Sequence, residues 1–274
     1  MIVDCFTFFN ELDVLEIRLN ELYPVVDKFV LVEAELTQSL LPKPYYFEAN
    51  KDRYSKFLDK IIHVKMPASE CPDNKKNIWE MENAQRNYIS NGIKECGANE
   101  NDIILISDLD EIPNREVVRD TPTIISNNNI KAFSFEMGFY AYFLNLKASE
   151  RNWIGTVACE YSIFSKTTPQ YLRSVKDSLS KVTNSGWHFS WLGGYEKIYE
   201  KTKSCIEPFD KSKLPTIKEF KEYFDNFKKS DNKFFIHLEN LSKKETAFSK
   251  VEIDDSYPHE FSTIGKTKYN SIIL

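Results

Sequence analysis

The chain has 274 residues, 42% of them hydrophobic and 28% charged, and its formal net charge is -5. This composition is ordinary for a folded globular protein and excludes a disordered or collagen-like chain. The acidic balance, without a long run of Lys or Arg, argues against binding to a nucleic-acid backbone, so we expect no nucleic-acid partner.

Cysteine usage and hydropathy narrow the class of protein further. The five cysteines are far apart and include no Cys-x-x-Cys pair, which argues against a disulfide framework and a structural zinc site. No apolar run approaches the roughly 20 residues that a membrane span needs, and strand-like residues stand where a leader would begin. We therefore expect a soluble, cytoplasmic protein without a transmembrane segment.

The first 110 residues alternate strand and helix patterns, which is typical of a parallel sheet wrapped by helices. The predicted strands are 2–8, 28–33, 60–64 and 102–107, and the predicted helices are 11–22 and 77–90. In the first helix, leucines at helical spacing should face the core and leave Glu16, Arg18 and Glu21 largely for solvent. Gly92 follows the second helix as its expected C-cap.

After residue 113 the pattern changes to aromatic-rich segments. Strands are predicted within 132–146, 157–164 and 187–191, as antiparallel or mixed additions to the sheet. The final part of the chain is richer in Lys, Glu and Asp, with helical signals over 216–228. The sequence therefore predicts a single α/β domain over residues 1–274.

Two aspartates, Asp108 and Asp110, directly follow the fourth predicted strand. Ligands of parallel sheets bind at the carboxyl ends of the strands, and an extended backbone would direct both side chains to one side. Two such carboxylates that stay ionised need a cation, most naturally Mg²⁺ or Mn²⁺. The alternative is a helix-capping turn, in which Asn114 or Asp110 accepts backbone hydrogen bonds and the helix dipole favours Glu111.

Five sequence blocks extend this observation beyond the acidic turn. They are DCFTFFNELD with LEIRL at 4–19, VDKFVLVEA at 26–34, QRN at 85–87, ISDLDEIP at 106–113 and GWHFSWLGG at 186–194. With these blocks in order, the whole chain resembles glycosyltransferase family 17, the family of the β-1,4-mannosyl-glycoprotein β-1,4-N-acetylglucosaminyltransferases.

The resemblance implies a fold and a reaction. The expected fold is GT-A, a Rossmann-like three-layer α/β/α sandwich with a mixed, mainly parallel central sheet and C-terminal helices. The expected reaction is inverting transfer from a UDP-sugar, UDP-N-acetylglucosamine, to a carbohydrate or other hydroxyl acceptor with Mn²⁺ or Mg²⁺. On this basis residues 1–113 form a nucleotide-binding half, 114–205 an acceptor and metal half, and 206–274 a C-terminal helical extension.

The resemblance also suggests metal ligands. Asp110 is the first choice, and Asp108 either shares the ion or binds the ribose hydroxyls, so both are catalytic candidates. His188 is the expected third ligand, because an imidazole nitrogen can join oxygen ligands around manganese. Without the resemblance, a histidine between aromatic residues is more often a core residue.

Candidate donor-binding residues are spread over the first two-thirds of the chain. Phe8 and Asn10 follow the first strand, where a base would lie, although Asn10 also suits a helix N-cap. Glu33 ends the second strand and is a candidate against the alternative of a solvated strand end. Arg86 and, more weakly, Arg173 are candidates for binding phosphate oxygens in a bidentate fork, against the alternative of surface arginines.

The general base of an inverting transfer is harder to predict. Glu196 is the first candidate because it follows a Gly-Gly turn that would admit an acceptor, and Glu160 and Glu136 are rivals, each against the alternative of a surface glutamate. Aromatic side chains that would stack on sugar, although such clusters are more often core, are Trp153, Trp187, Trp191, Tyr140 and Tyr142.

Two other functions fit the same pattern. One is a sugar nucleotidylyltransferase or another metal-dependent nucleotide enzyme, and the other is a non-catalytic carbohydrate-binding protein. A nucleotidylyltransferase usually carries a Gly-rich basic loop after its first strand, where this chain has Phe-Phe-Asn-Glu. That difference favours the glycosyltransferase.

Overall fold

The computed structural model describes residues 1–73, 77, 79–205, 216–229, 248–261 and 266–274. Within these ranges ten strands form one mixed sheet. In chain order they are β1 (Ile2–Phe8), β2 (Lys28–Ala34), β3 (Ile61–Met66), β4 (Ile103–Asp108), β5 (Glu111–Pro113), β6 (Ala132–Ala141), β7 (Leu146–Glu160), β8 (Lys181–Val182), β9 (Gly186–Ser190) and β10 (Phe248–Lys250).

Most of the helices in the described ranges are short. They are α1 (Leu12–Leu22), α2 (Tyr46–Ala49), α3 (Glu80–Asn87), α4 (Ile89–Cys96), α5 (Arg115–Asn127), α6 (Tyr161–Phe164), α7 (Pro169–Ser174), α8 (Gly194–Ser204), α9 (Ile217–Lys229) and α10 (Lys266–Lys268). Single 3-10 segments are Lys51–Phe57, Ala68–Glu70, Lys176–Ser178 and Asn270–Ile272. None of these helices is long and apolar enough to cross a membrane.

The first half of the sheet is parallel and has the order β3-β2-β1-β4. Thr7 of β1 is opposite Asp108 of β4, and Phe8 of β1 is opposite Glu33 of β2. The carboxyl ends of these strands therefore meet at one edge of the sheet, which is where parallel sheets bind ligands.

The second half of the sheet brings a histidine to that same edge. Strand β7 is antiparallel to β4, and β6, β9 and β5 follow in that order. In this arrangement His188 of β9 is opposite Glu111 of β5 on one side and Phe139 of β6 on the other. Because β5 begins just after the acidic turn, the pairing fixes His188 beside that turn.

Helices cover both faces of the sheet, each over its own hydrophobic core. Phe6 and Phe8 of β1 pack with α1 and α5 on one face, whereas Val3 and Cys5 pack with α4 and α7 on the other. Alternate side chains of a strand point to opposite faces, so a buried strand needs two apolar sets. The predicted three-layer α/β arrangement with a mixed sheet is therefore confirmed.

The carboxyl-terminal segment, residues 257–261 and 266–274, joins the first of these cores. Tyr257, Phe261 and Tyr269 are buried against the same cluster as α1. Polar contacts accompany them: the Asn20 amide of α1 donates to Glu260 at 2.9 Å. Helix α1 is therefore covered by the sheet on one side and by the end of the chain on the other.

Two local predictions were wrong. The predicted helix 77–90 is replaced by α3 and α4, and residue 78 lies outside the described residues. Gly92 is not a C-cap but a buried residue of α4, where a Cβ would lie 2.3 Å from a methyl of Val30 and 2.9 Å from one of Val64. The helix ends instead at Gly97, whose φ of 65° is the left-handed conformation typical of a glycine cap.

The prediction of solvent-exposed charges on α1 was also wrong. Glu16, Arg18 and Glu21 are all buried, and Arg18 and Glu21 have no exposed surface. Each has partners: Arg18 binds Asp4, Glu21 binds Arg115, and Glu16 binds residues of a 3-10 segment and of α10. Charges are buried in proteins when they are paired in this way.

Candidate functional site

A cleft of about 450 Å³ opens at the carboxyl-end edge of the sheet. Its walls come from the ends of β1 and β4, the chain after β2, α3, α7, β7, β9 and the last turn of α8. The acidic turn between β4 and β5 forms its floor, because Asp108, Leu109 and Asp110 all line it. The site expected from sequence and this cleft therefore coincide at the turn.

Asp108 is held between two arginines. Its Oδ1 accepts from Arg86 Nη2 of α3 at 2.9 Å, and its Oδ2 accepts from Arg173 Nη2 of α7 at 2.8 Å. Burial by itself would raise the pKa of Asp108, but the two guanidinium groups hold that pKa well below its usual range. Asp108 is therefore an ionised carboxylate with a charged donor on each oxygen.

The two arginines are themselves anchored. Arg86 also binds Glu82 Oε1 at 2.7 Å and the amide oxygen of Gln170, and Arg173 Nη1 donates to Gly155 O at 2.6 Å. Burial would lower the pKa of each guanidinium, but the neighbouring carboxylates raise it, so both stay charged. The two guanidinium groups form one wall of the cleft, and their charges are matched by Glu82, Asp108 and Glu111.

Glu111 lies behind this wall with no exposed surface. Its carboxylate accepts from Trp153 Nε1 at 2.6 Å, from Arg173 Nη2 at 2.8 Å and from the Asp108 backbone N–H at 3.1 Å. The capping alternative also holds in part, because Asn114 accepts from the first N–H groups of α5 at 2.9 and 3.4 Å. Capping by Asn114 leaves Asp108 and Asp110 in the cleft.

Asp110 has different partners from Asp108. Its Oδ1 lies 3.5 Å from His188 Nε2, and its Oδ2 lies 3.5 Å from Lys201 Nζ of α8. Lys201 also lies 3.3 Å from Glu11 Oε1. Burial would raise the pKa of Asp110, but Lys201 and His188 lower it below its usual range, so this carboxylate is ionised as well.

The imidazole of His188 is fixed by stacking. Its ring lies 4.3 Å from the ring centre of Trp153 and 5.2 Å from that of Phe139. Within the described residues its buried Nδ1 has no hydrogen-bond partner. The ring is therefore oriented by packing and presents Nε2 to Asp110.

The chain offers a small donor set for a divalent ion. Adjacent ligands of an octahedral ion lie about 3 Å apart when each is about 2.1 Å from the ion, and Asp110 Oδ1 and His188 Nε2 are 3.5 Å apart. No group of three or more His, Cys, Asp or Glu side chains in the described ranges converges as a metal site. Two protein ligands nevertheless suit Mg²⁺ or Mn²⁺, because such ions commonly keep waters and take phosphate oxygens of the substrate.

The predicted donor residues divide between the cleft and its surroundings. Phe8, Arg86 and Arg173 line the cleft, whereas Asn10 and Glu33 are not among its lining residues. Asn10 donates to Glu200 at 3.3 Å, and no side-chain hydrogen bond caps α1.

Glu33 supports the chain that follows β2. It is fully buried and accepts from the backbone N–H groups of Tyr46 and Phe47, the latter at 3.2 Å. It also binds Lys43 Nζ at 3.1 Å, and Lys43 does line the cleft.

The candidate bases lie away from the cleft lining. Glu196 is exposed on α8, Glu160 pairs with Lys131, and Glu136 accepts from an asparagine at 3.0 Å. Of the aromatic candidates, Trp153 and Trp191 line the cleft. The other three, all buried in the core, are Trp187, Tyr140 and Tyr142.

Two lysines of the cleft were missed from the sequence. Lys176 donates to Ile154 O at 2.5 Å and lies over the Trp153 ring, and burial lowers its pKa. Lys201 comes from the last turn of α8. Lys176 could have been found from the sequence, because it closely follows the candidate Arg173. No local sequence feature distinguishes Lys201.

The site lies at the acidic turn that follows β4, in an α/β fold with a mixed sheet. The chain belongs to glycosyltransferase family 17, whose family model matches residues 1–203. The protein is therefore a glycosyltransferase by family, as the sequence blocks predicted.

Solved structures of low sequence identity are similar to the chain. Residues 1–349 of TarS from S. aureus share 11% identity with a TM-score of 0.42, and the match covers 84% of this chain and 72% of that fragment. Glucosyl-3-phosphoglycerate synthase of Mycobacterium tuberculosis, solved with Mn²⁺, UDP-glucose and phosphoglyceric acid, shares 9% with a TM-score of 0.36, covering 96% and 91%. A 4-diphosphocytidyl-2C-methyl-D-erythritol synthase shares 11% with a TM-score of 0.37, covering 70% and 89%. No curated protein matches the chain.

Proposed function

We propose that the protein transfers N-acetylglucosamine from UDP-N-acetylglucosamine to a hydroxyl group of a glycan or similar acceptor, with inversion and with Mn²⁺ or Mg²⁺. The observation that carries the proposal is the Asp110–His188 pair, which lies in a cleft also lined by five basic side chains. These side chains, which are the natural partners of a diphosphate, are Lys43, Arg86, Arg173, Lys176 and Lys201.

Each group has a role in this reaction. Asp110 and His188 would hold the ion, and Asp108 would keep Arg86 and Arg173 in place beside the phosphates. The ion, when bound, offsets negative charge on the departing diphosphate. The indole ring of Trp191 gives the cleft an apolar surface on which a sugar ring can pack, whereas the Trp153 ring already packs against His188 and Lys176.

The assignment of the two halves follows from these roles. Residues 1–113 would bind the nucleotide, residues 114–205 would supply His188 and the acceptor surface, and residues 206–274 would be an extension. Inversion also needs one base that takes the acceptor proton. Glu196 is the candidate from sequence, but its exposed position outside the cleft lining does not support that role.

The decisive experiment is a UDP-release assay with a panel of UDP-sugars and hydroxyl acceptors, each with and without Mn²⁺. We expect release that depends on the metal and is fastest with UDP-N-acetylglucosamine. Melting curves with UDP and Mn²⁺ provide a second reading that needs no acceptor. If no donor releases UDP and no combination of UDP and metal raises the melting temperature, the proposal is wrong.

Two outcomes would favour the other functions instead. Release of pyrophosphate from a nucleoside triphosphate and a sugar phosphate would indicate a nucleotidylyltransferase. Stabilisation by oligosaccharides alone, with no turnover of any donor, would indicate a carbohydrate-binding protein.

A further inference from the structure

A fully buried arginine lies directly beneath the acidic turn. Arg18 of α1 has no exposed surface, and its guanidinium is 4.6 Å from the centre of the Phe6 ring. It donates from Nε and Nη2 to the two oxygens of Asp4, at 2.7 and 2.5 Å. Asp4 is equally buried, so the charge of Arg18 is compensated inside the core.

The rest of the guanidinium faces the turn. Nη1 donates to the backbone carbonyls of Glu111 at 2.7 Å and of Asp108 and Leu109 at 3.2 Å each. Nη2 donates to Ser107 Oγ at 2.9 Å. The five N–H groups of one side chain therefore bind a carboxylate and four oxygens of residues 107–111.

A guanidinium can make this set of contacts and an ammonium group cannot. Arginine presents five donors in a rigid plane, whereas lysine presents three on one flexible point charge. Three acidic side chains within four residues repel one another, and repulsion of this kind would spread an unrestrained turn. Bonds to its carbonyls from beneath keep the peptide planes of the turn fixed while Asp108 and Asp110 face the cleft.

We propose that Arg18 is a positioning residue for the metal and diphosphate site. It acts through the turn: by fixing the backbone of residues 107–111, it sets the distance of Asp110 from His188 and of Asp108 from its two arginines. It touches neither substrate nor ion. The part of this proposal that concerns metal affinity rests on the proposed function, whereas the part that concerns the turn does not.

The test replaces Arg18 by lysine and compares this variant with the same replacement at Arg115, a half-buried arginine that binds the same helix. Arg115 also binds helix α1, through Asn20 O at 3.1 Å and the buried Glu21 carboxylate at 3.2 Å. Among the described residues, these hydrogen bonds of Arg115 join it to α1 and not to the turn, so Arg115→Lys controls for the loss of a half-buried guanidinium that binds the same helix. Both variants are expected to melt at a lower temperature than the parent.

Two readings separate positioning from a general structural role. In full-length protein without ligand, hydrogen exchange of the amides of residues 107–112 should be at least about tenfold faster in Arg18→Lys than in Arg115→Lys. In the presence of UDP, the Mn²⁺ concentration that gives half of the melting-temperature gain should rise about tenfold or more in Arg18→Lys alone, as for other groups that support ligands from behind. Equal exchange and equal Mn²⁺ response in the two variants would overturn the proposal.

Asp4→Asn provides the test if Arg18→Lys does not fold. The amide keeps one oxygen for Arg18 but removes its counter-charge, so both readings should move in the same direction by a smaller factor. Unchanged exchange in this variant would equally overturn the proposal. If the parent protein itself shows no response to UDP and Mn²⁺, the proposed function fails, and the exchange reading still decides the role of Arg18 in the turn.

Discussion

The two aspartates of the acidic turn differ in how close their cationic partners lie. On the arginine side (Arg86, Asp108, Glu111 and Arg173), Asp108 makes charge-assisted hydrogen bonds of 2.8 and 2.9 Å. On the histidine side (Glu11, Asp110, His188 and Lys201), both contacts of Asp110 are 3.5 Å. Two residues of sequence thus separate a carboxylate with close partners from one with distant partners.

This contrast indicates a division of labour. Short bonds from buried guanidinium groups are strong and costly to break, so the arginine side is built as part of the fold. The longer contacts of Asp110 with an imidazole and a lysine can be replaced by bonds to an ion at little cost. The histidine side is therefore the part of the cleft where exchange of partners on binding is expected.

Asp110→Ala tests the histidine side and should have the largest effect. Removal of the proposed ligand should abolish the melting-temperature gain from UDP and Mn²⁺ and lower kcat/KM by about 100-fold or more, which is about 3 kcal/mol of transition-state stabilisation. Asp120→Ala, at an exposed carboxylate of α5, is the control and should respond as the parent does. If Asp110→Ala keeps the gain, Asp110 does not hold the ion.

Asp108→Asn tests the arginine side through stability. An amide leaves Arg86 and Arg173 with a poorer acceptor, so the free energy of unfolding should fall by about 2 kcal/mol. Asp110→Asn, with its longer contacts, should lower it by less than about 0.5 kcal/mol. Urea unfolding monitored by circular dichroism measures both, and a larger loss in Asp110→Asn would contradict the division between the two sides.

The change in unfolding free energy at acid pH also tests the difference between Asp108 and Asp110. Because the pKa of Asp108 is lowered in the folded state, its pairing contributes fully above the unfolded-state pKa of about 3.9 and is lost as the pH falls through the lowered value. The difference between the parent and Asp108→Asn should therefore be constant from about pH 8 to 5 and shrink below about pH 4. Urea titrations at several pH values provide the measurement, and a difference that grows with acid would reverse the assigned sign.

Glu196→Gln should have the smallest effect. Glu196 is exposed and lies outside the cleft lining, so it is not placed to take a proton from an acceptor bound in the cleft. We expect kcat to change by less than about twofold, since surface substitutions are usually near neutral. A loss of transfer with donor binding intact would instead establish Glu196 as the base and place the acceptor beside α8.

The first half of the fold could be predicted because its signals are local. Strand β2 is a continuous apolar run, as a strand covered on both faces must be, and β4 leads directly into the two acids. The glycine of α4 could not be predicted in the same way. Gly92 has the residue type of a helix end, but the need for it is the close approach of α4 to Val30 and Val64.

The site was predictable where residues stand in one segment and was missed where distant segments meet. Asp108 and Asp110 are visible as a pair, whereas Lys201 meets Asp110 across 91 positions of the chain. Arg18 does lie at helical spacing from Leu15 and Leu22, which places it on the buried stripe of α1. Because Arg18 is charged, the sequence predicted that its side chain is exposed to solvent. Only the pairing of β1 with β4 shows that Asp4 and the turn lie close enough to compensate the charge of Arg18.

The carboxyl-terminal segment packs into the core although it lies beyond the residues that the family model matches. The family match stops at residue 203, yet Tyr257, Phe261 and Tyr269 complete the packing over α1. A polypeptide that ends at residue 203 would lack those apolar contacts. The carboxylates of Glu16 and Glu21 would each lose a partner from the carboxyl-terminal segment. The region that the family model matches is thus smaller than the region that packs into the core over α1.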